Sequence, residues 1–415
     1  MCRILIIVLQ IASTSALRIG DSDCQALLDD YCSSACDLRA RGCGFPPVAR
    51  FSGPSAKGIA WRCYSPETLD NNQTYTGGDC YCSRDDELEE VLALCFNDVV
   101  TVFSSEMAGS ACYRIPTITR LSSGTLLAFA EQRVGGCGDN GDNNIVLRQS
   151  SDDGKSWGAI VTVAKGNGKP LSNPNPVEVD MGNGSKAVLL HYDTMNNPSA
   201  AKHGANMQVW SYDEGVTWVY SRDISSAMPS GYAGCMPGPS VGLQSSDGSL
   251  YFSCHGFGLN GFLYWSSDLG ASWEPSAVQS GTMNECSIAL LANESIAMNC
   301  RTGGSYRAQL TWSANGSLVG QILRPEGLID PNCQGSLIAH EGQLFLSNDN
   351  TTSGRTHIAV KQSADDGATW DEGSLEWAGP SGYSQLVAWP GRMGLLFELG
   401  VKSTYESIGF RSWPA

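Results

Sequence analysis

Seven residues, spread over most of the chain, have side chains that could together bind an anion and transfer protons. Arginine forms paired, charge-assisted hydrogen bonds with carboxylates, and aspartate or glutamate can move protons to and from reacting atoms. A tyrosine hydroxyl becomes a nucleophile when a base activates it. The seven residues are Arg114, Asp139, Glu285, Arg301, Arg355, Tyr383 and Glu398. Because they lie far apart in the sequence, only a fold that brings distant segments together can join them in one site.

A repeated hairpin sequence indicates which fold that is. In the pattern Ser-x-Asp-x-Gly-x-Ser/Thr-Trp, the aspartate bonds backbone amides of a turn, the glycine supplies a positive φ and the tryptophan packs behind the turn. Full copies begin at Ser150, Ser211, Ser266 and Ser363, and a degenerate copy occupies 313–316. One such turn in roughly 50 residues implies one four-stranded sheet per repeat. Residues 113–415 therefore predict an all-β fold, a six-bladed β-propeller with Asp-box hairpins.

The repeats and the order of the charged residues resemble one known family. The four Asp boxes, the tripeptide Arg114-Ile115-Pro116 and the seven residues named above are similar to those of the exo-sialidase (neuraminidase) family of six-bladed propellers. The resemblance covers about residues 112–415. It implies a retaining exo-α-sialidase that removes terminal sialic acids from glycoproteins, glycolipids or oligosaccharides.

The resemblance also implies a role for each residue of the set. Sialic acid carries a carboxylate on its anomeric carbon, which would repel an anionic nucleophile, and sialidases are the tyrosine exception among glycosidases. Tyr383 matches that nucleophile, and Glu285 matches its base. Asp139 matches the residue that protonates the leaving group as an acid and then activates water as a base. The residues that match a clamp for the substrate carboxylate are Arg114, Arg301 and Arg355.

Two further residues complete the expected site. Glu398 matches the carboxylate that supports Arg114. Arg133 is expected to bind substrate, with support of the site as the alternative, and Asp142 is the alternative to Asp139 in the same glycine-rich segment. No cofactor is expected, because the mechanism needs no metal and the five histidines have no metal-ligand spacing.

One pair of strands can be aligned from the sequence alone. A turn at Asn293-Glu294 would place Glu285 opposite Arg301 and Cys286 opposite Cys300 in one antiparallel ladder. Glu285 and Arg301 would then share one face, and the two cysteines would share the other and form a disulfide. Two weaker disulfide predictions join Cys112 to Cys137 and Cys235 to Cys254.

The composition and the first residues limit which partners and which cellular compartment we expect for this protein. A net charge of −16 argues against nucleic-acid binding. Residues 1–16 have the pattern of a secretory signal peptide, so we expect a secreted or secretory-pathway protein with disulfides and no membrane span. Sequons for surface glycosylation lie at Asn72, Asn183, Asn293, Asn315 and Asn350.

Residues 17–111 differ in composition from the rest and predict a separate, small disulfide-rich module. Eight cysteines lie between 24 and 95, and their connectivity cannot be deduced from the sequence. Helical spacing near 26–36 and 86–95 makes the module partly helical, and 44–78 is expected to be a loop. The predicted sialidase-like domain is 112–415.

Other functions stay open at this level. A trans-sialidase would use the same residues and differ only in its acceptor site. A preference for a deaminated sialic acid is not visible in the sequence. A non-catalytic carbohydrate-binding propeller would contain Asp boxes but would have no need of the complete set of arginines, tyrosine and carboxylates.

Overall fold

The computed structural model describes the backbone of 48–55, 58–64 and 80–81 and residues 98–194, 204–232, 234–256, 260–281 and 283–415. The chain divides into two compact units, 1–97 and 98–415. The second unit begins before the predicted boundary at Cys112, because a strand at Val100–Ser104 pairs with Ser407–Pro414 at the other end of the unit.

The described part of the first unit is a three-stranded antiparallel sheet. Its strands are β1 Val48–Ser55, β2 Gly58–Tyr64 and β3 Cys80–Tyr81, in that order. The prediction of a loop at 44–78 was therefore wrong for 48–55 and 58–64, and the rest of that range lies outside the described residues. Gly53 and Pro54 look like strand breakers, but a register shift between Phe51 and Pro54 absorbs them. The signal peptide and both predicted helical segments lie outside the described residues.

Within its described residues, the second unit is all-β apart from two short 3₁₀ helices, Met107–Gly109 and Ser225–Ala227. Its strands are β4 Val100–Ser104, β5 Cys112–Arg120, β6 Leu126–Arg133, β7 Asn143–Ser150, β8 Val161–Ala164, β9 Leu171–Asp180, β10 Lys186–Thr194, β11 Asn206–Ser211, β12 Val219–Asp223, β13 Met236–Pro237, β14 Leu243–Gln244, β15 Leu250–Gly256, β16 Asn260–Ser266, β17 Glu274–Pro275, β18 Gln279–Ser280, β19 Cys286–Leu290, β20 Ile296–Arg301, β21 Arg307–Trp312, β22 Leu318–Leu323, β23 Gly335–His340, β24 Gln343–Asp349, β25 Thr356–Ser363, β26 Ser374–Trp389, β27 Arg392–Leu399 and β28 Ser407–Pro414.

These strands form antiparallel sheets that follow one another along the chain. Four-stranded sheets are made by β5–β8, β9–β12 and β19–β22, and β13–β18 form the sheet that lies between the last two in sequence. The remaining sheet has the order β23-β24-β25-β26-β27-β28-β4. Within it, β26 pairs with β25 through Ser374–Pro380 and with β27 through Ser381–Trp389.

Consecutive sheets pack on one another and bury a separate apolar cluster at each contact. The strand β5 contacts both β9 and β26, and further contacts join β9 to β13, β15 to β19 and β19 to β23. Phe129 and Leu190 lie in the cluster between the first two sheets, and Phe103 and Phe410 lie in the cluster that joins the first sheet to the last. The inner strands of each sheet are thus buried on both faces, whereas β12 and β22 are largely exposed, which gives a propeller-like arrangement.

The repeated hairpins lie where the sequence places them, between the third and fourth strands of their sheets. In the first copy, Asp152 Oδ1 accepts a hydrogen bond from Ser156 N at 2.9 Å, and Trp157 Nε1 donates to Gly154 O at 3.1 Å. The other three copies repeat the aspartate bond, and the second and fourth copies also repeat the tryptophan bond. In the third copy, however, Trp273 Nε1 finds no partner among the described residues.

The three predicted disulfides are confirmed. They join Cys112 to Cys137, Cys235 to Cys254 and Cys286 to Cys300. The pairing of β19 with β20 sets Cys286 opposite Cys300, as the sequence alignment predicts. Among the described residues, Cys333 is a free, buried thiol. Also within this part of the chain, none of the helices reaches the length and apolarity that a bilayer crossing needs.

We expect Gly154→Ala to destabilise the second unit more than Gly168→Ala. Both glycines have a positive φ, 85° and 84°, which costs alanine about 1–2 kcal/mol. A methyl group at Gly154 would also overlap the Phe410 ring, whereas nothing lies within 4 Å of one at Gly168. The overlap adds about 1–3 kcal/mol. Urea denaturation measures both variants, and equal losses of stability would contradict this packing.

Candidate active site

The structure brings all seven residues to one end of the second unit. Arg114 lies near the start of β5, Arg301 ends β20, and Glu285 and Arg355 directly precede β19 and β25. Tyr383 and Glu398 lie in the neighbouring strands β26 and β27, and Asp139 lies in the loop between β6 and β7. Neighbouring antiparallel strands run in opposite directions, so the start of one strand and the end of the next meet at the same edge, as Glu285 and Arg301 do.

The carboxylate of Glu398 joins the first sheet to the last. It is fully buried and accepts bonds from Arg114 Nε at 3.0 Å and Nη2 at 3.2 Å, a two-point ion pair. It also accepts the backbone N–H groups of Ile115 and Tyr383, each at 3.0 Å. Glu398 therefore fixes the arginine and the strand that carries the tyrosine, as the sequence predicts for Arg114.

The backbone at Ile115 is strained in a way that serves this contact. Its φ is 58°, although a β-branched residue before proline strongly prefers extended backbone. A register shift between Arg114 and Thr117 accompanies it. Strain of this kind costs about 1–3 kcal/mol, and the bond from Ile115 N–H to Glu398 helps to offset it.

Tyr383, Glu285 and Arg301 form the centre of the site. The Tyr383 hydroxyl donates a short hydrogen bond to Glu285 Oε1. Arg301 Nη1 donates to Glu285 Oε2 at 2.7 Å and to the Tyr383 hydroxyl at 3.3 Å. Arg301 N donates to Glu285 O at 2.8 Å, so Glu285 and Arg301 lie opposite each other, as aligned from the sequence.

The surroundings keep the proton on the tyrosine. Burial raises the pKa of Tyr383 well above its ordinary value of 10.0, and the Glu285 charge raises it further, against the opposing effect of Arg301 and Arg114. For Glu285, burial works toward a higher pKa, but the charges of Arg301 and His255 outweigh it and hold the pKa below the ordinary 4.5. A neutral phenol thus faces an ionised carboxylate, which is the resting state of a nucleophile and its base.

Asp139 is the exposed member of the site, with 62% of its side chain accessible. Its Oδ1 accepts a bond from Arg133 Nη1 at 2.8 Å and lies 3.6 Å from Arg114 Nη1. Asp142, the alternative, has its Oδ1 bonded to Gly168 N at 3.0 Å. Asp139 is therefore the aspartate that faces the arginines.

Arg133 lies beneath Asp139 with only 1% of its side chain exposed. It donates to Asp139, to Cys137 O and twice to the buried carboxylate of Glu131. Of the two roles open to Arg133, this geometry favours support of Asp139 over direct contact with a ligand.

Two buried polar residues near Glu131, Asn173 and Asp193, have hydrogen-bonding groups that are unused within the described residues. Asn173 N and Ser172 Oγ donate to Glu131 Oε1, yet the Asn173 side-chain nitrogen has no partner among the described residues. Within the same part of the chain, neither carboxylate oxygen of the buried Asp193 has a partner. Buried polar groups of this kind need a ligand or water to satisfy them.

The third arginine is held by a residue that the sequence analysis missed. Arg355 Nη1 donates to the Tyr405 hydroxyl at 3.0 Å, and its guanidinium lies 5.4 Å from the centre of the Tyr383 ring. Asn332 was also missed, and its Oδ1 accepts a bond from Arg301 Nε at 2.7 Å. Both residues lie in loops without periodic patterns, so no signal in the sequence marks them.

The arrangement has the parts for acid–base and nucleophilic chemistry on an anion. Three guanidinium groups surround the buried hydroxyl of Tyr383, a base bonds to it, and an exposed carboxyl group lies beside Arg114. Among the described residues, no cluster of three or more histidine, cysteine, aspartate or glutamate side chains could hold a metal ion.

Comparisons with known proteins show which family and which proteins this chain is similar to. The BNR repeat-like domain family matches residues 124–396. The chain is 26% identical over 332 residues to a sialidase of Micromonospora viridifaciens, covering 71% of this chain and 51% of that protein. It is 23% identical over 404 residues to sialidase-3 of Bos taurus, covering 78% of this chain and 94% of that protein.

The chain therefore spans about half the length of the first of these relatives. Among solved structures, a Hadza microbial sialidase superposes with a TM-score of 0.69 at 24% identity, covering 76% of this chain and 68% of the other. At that identity the superposition shows that the fold is shared.

We expect Glu398→Gln to lower the free energy of unfolding by about 3–5 kcal/mol, because a buried arginine loses its charge partner. The glutamine amide would also have only one acceptor oxygen, whereas the carboxylate of Glu398 accepts four hydrogen bonds. Glu326→Gln, at an exposed position, is the matched control and should change stability by less than about 0.5 kcal/mol. Urea denaturation of both variants checks this, and similar small effects would contradict the role assigned to Glu398.

Proposed function

The chain belongs to the exo-sialidase family, through a BNR repeat-like domain at residues 124–396, and we propose that it is a retaining exo-α-sialidase. Its substrates are terminal sialic acids on glycoproteins, glycolipids or oligosaccharides. The observation that carries the proposal is the buried Tyr383 hydroxyl bonded to Glu285 and surrounded by Arg114, Arg301 and Arg355.

The charges of the site support an anionic substrate. Arg114 is paired with Glu398 and Arg301 with Glu285, both at 3.0 Å or less. Among the described residues, Arg355 has no carboxylate within 4 Å and bonds instead to a neutral hydroxyl. Arg355 is thus the member of the three-arginine cluster that can pair with the carboxylate of one sialic acid.

The neutral nucleophile supports the first displacement. As the Tyr383 oxygen bonds to the anomeric carbon, its proton passes to Glu285, while Asp139 gives a proton to the leaving glycosidic oxygen. A neutral phenol meets no repulsion from the substrate carboxylate, and the neighbouring arginines stabilise the charge that develops on its oxygen.

The second displacement reverses these transfers. Asp139 takes a proton from water, the water oxygen bonds to the anomeric carbon, and the Tyr383 oxygen leaves and recovers its proton from Glu285. Two inversions give net retention. The exposure of Asp139 supports this role, since both the leaving group and the water must reach it from solvent.

We also infer that the second unit is a six-bladed propeller. Four sheets supply four blades, and the seven-stranded sheet supplies two that share β26, divided between Pro380 and Ser381. The last of these is completed by β4. The three disulfides support the expectation of an oxidising, secretory compartment.

Tyr383→Phe should reduce the release of a fluorescent aglycone from an α-sialoside by roughly a thousandfold or more, because the nucleophilic oxygen is lost. Tyr212→Phe, an exposed tyrosine, is the control and should keep the activity of the parent. No turnover by the parent at mildly acidic pH would overturn the proposal. Adding lactose and finding sialyl-lactose instead of free sialic acid would identify a transferase.

The pH profile tests the base. Because the pKa of Glu285 lies below its ordinary 4.5, the carboxylate stays ionised as pH falls through the mildly acidic range, and kcat/KM should decline only below about pH 4.5. Arg301→Gln removes the charge that does most to lower this pKa, so the decline should begin at higher pH.

A matched variant separates this effect from loss of substrate binding. Arg355→Gln also removes one arginine of the cluster, but Arg355 bonds to Tyr405 and not to Glu285. We expect it to lower kcat/KM at every pH and to leave the acidic decline in place. A shift of the same size in both variants would show that Glu285 is not the group that titrates.

A further inference from the structure

We infer that Tyr405 is a positioning residue, which holds Arg114 and Arg355 in place without neutralising either and so reserves positive charge for the carboxylate of the ligand. The inference rests on the proposed function, since it assigns a purpose to one part of that site. Neither the expected set of site residues nor the repeats include Tyr405.

Tyr405 contacts both arginines through different parts of its side chain. Its hydroxyl oxygen accepts the bond from Arg355 Nη1 at 3.0 Å. Its ring face lies 4.1 Å from Cζ of Arg114, close enough for a cation–π contact. Arg114 also lies 4.9 Å from the centre of the Tyr383 ring, so it contacts two aromatic faces.

The charge of the group that bonds to Arg355 decides how much positive charge the site keeps for a ligand. A carboxylate at position 405 would orient Arg355 equally well, but it would cancel the one guanidinium charge that has no carboxylate partner among the described residues. A phenol accepts the same hydrogen bond as a neutral group. The ring face likewise attracts the Arg114 charge without carrying a charge of its own.

Like charges in the cluster make such a partner necessary. Arg114 and Arg355 both lie against the Tyr383 ring and carry like charges, so they repel each other. An arginine without a fixed acceptor would turn toward solvent, because exposed guanidinium groups are well hydrated and the side chain has many rotamers. Tyr405 supplies the acceptor that keeps Arg355 beside Tyr383.

The loop that carries Tyr405 is itself held by a carboxylate. Glu406 Oε1 accepts the backbone N–H groups of Lys402 and Ser403 at 2.8 and 2.7 Å, and Oε2 accepts that of Val401 at 3.0 Å. Gly400 N bonds to Pro380 O at 3.1 Å, which ties the loop to β26. The position of the Tyr405 ring is therefore set by the backbone.

The test compares two ligands that differ only in whether they carry the carboxylate charge for which Tyr405 is inferred to reserve the arginines. Calorimetry measures the dissociation constants of N-acetylneuraminic acid and of its methyl ester for the parent, Tyr405→Phe and Tyr405→Leu. Tyr220→Phe, a tyrosine 73% exposed on β12, is the matched control. Thermal unfolding of each variant and its turnover of a fluorescent sialoside are measured in parallel.

We expect Tyr405→Phe to weaken binding of the acid about tenfold, the value of one hydrogen bond to a charged group. Tyr405→Leu should weaken it roughly a further threefold, because the ring contact with Arg114 is also lost. Binding of the ester should change less than about twofold in both variants. KM should rise more than kcat falls, and Tyr220→Phe should match the parent.

Equal weakening of acid and ester, or unchanged binding of the acid, would overturn the inference, since a merely structural tyrosine affects both ligands alike or neither. A parent that neither binds nor cleaves sialosides would instead overturn the proposed function. The two failures are thus distinguishable, because the first leaves the parent active and the second does not.

Discussion

The buried carboxylate of Glu398 is the interaction on which the rest of the site depends. It lies in the last sheet and bonds to Arg114 and Ile115 of the first sheet, 284 and 283 residues away in the chain. The same carboxylate accepts the N–H of Tyr383. A single buried carboxylate thus fixes the position of Arg114 relative to the strand that carries Tyr383, and its own burial is offset by four donors.

The division of charge around this point explains the chemistry. Two arginines have carboxylate partners, one has a phenol, and the central tyrosine stays neutral because burial and the adjacent Glu285 oppose its ionisation. In the proposed mechanism, this division leaves positive charge for the anionic substrate and keeps the tyrosine neutral until its proton moves to Glu285.

Sequence reasoning predicts the parts of this structure that repeat or pair locally. The spacing of the Asp boxes predicts hairpins that the structure contains, and the symmetric placement of Glu285, Cys286, Cys300 and Arg301 predicts the register of one hairpin correctly. The strand β4 was missed because its partner lies more than 300 residues away. Tyr405 and Asn332 were missed for a similar reason, since each acts through an arginine on another segment, and no local pattern records such a contact.

Glu398 and Arg114 lie in the last and first sheets, which meet where β26 contacts β5. This separation in the chain affects when the site can form during synthesis. A chain is made from its N terminus, and its domains generally fold as units. Arg114 emerges early in synthesis, but Tyr383 and Glu398 emerge only when the second unit is nearly complete. A nascent chain therefore holds Arg114 without Tyr383 or Glu398 beside it, and under the proposed mechanism it becomes active only when the last sheet joins the first.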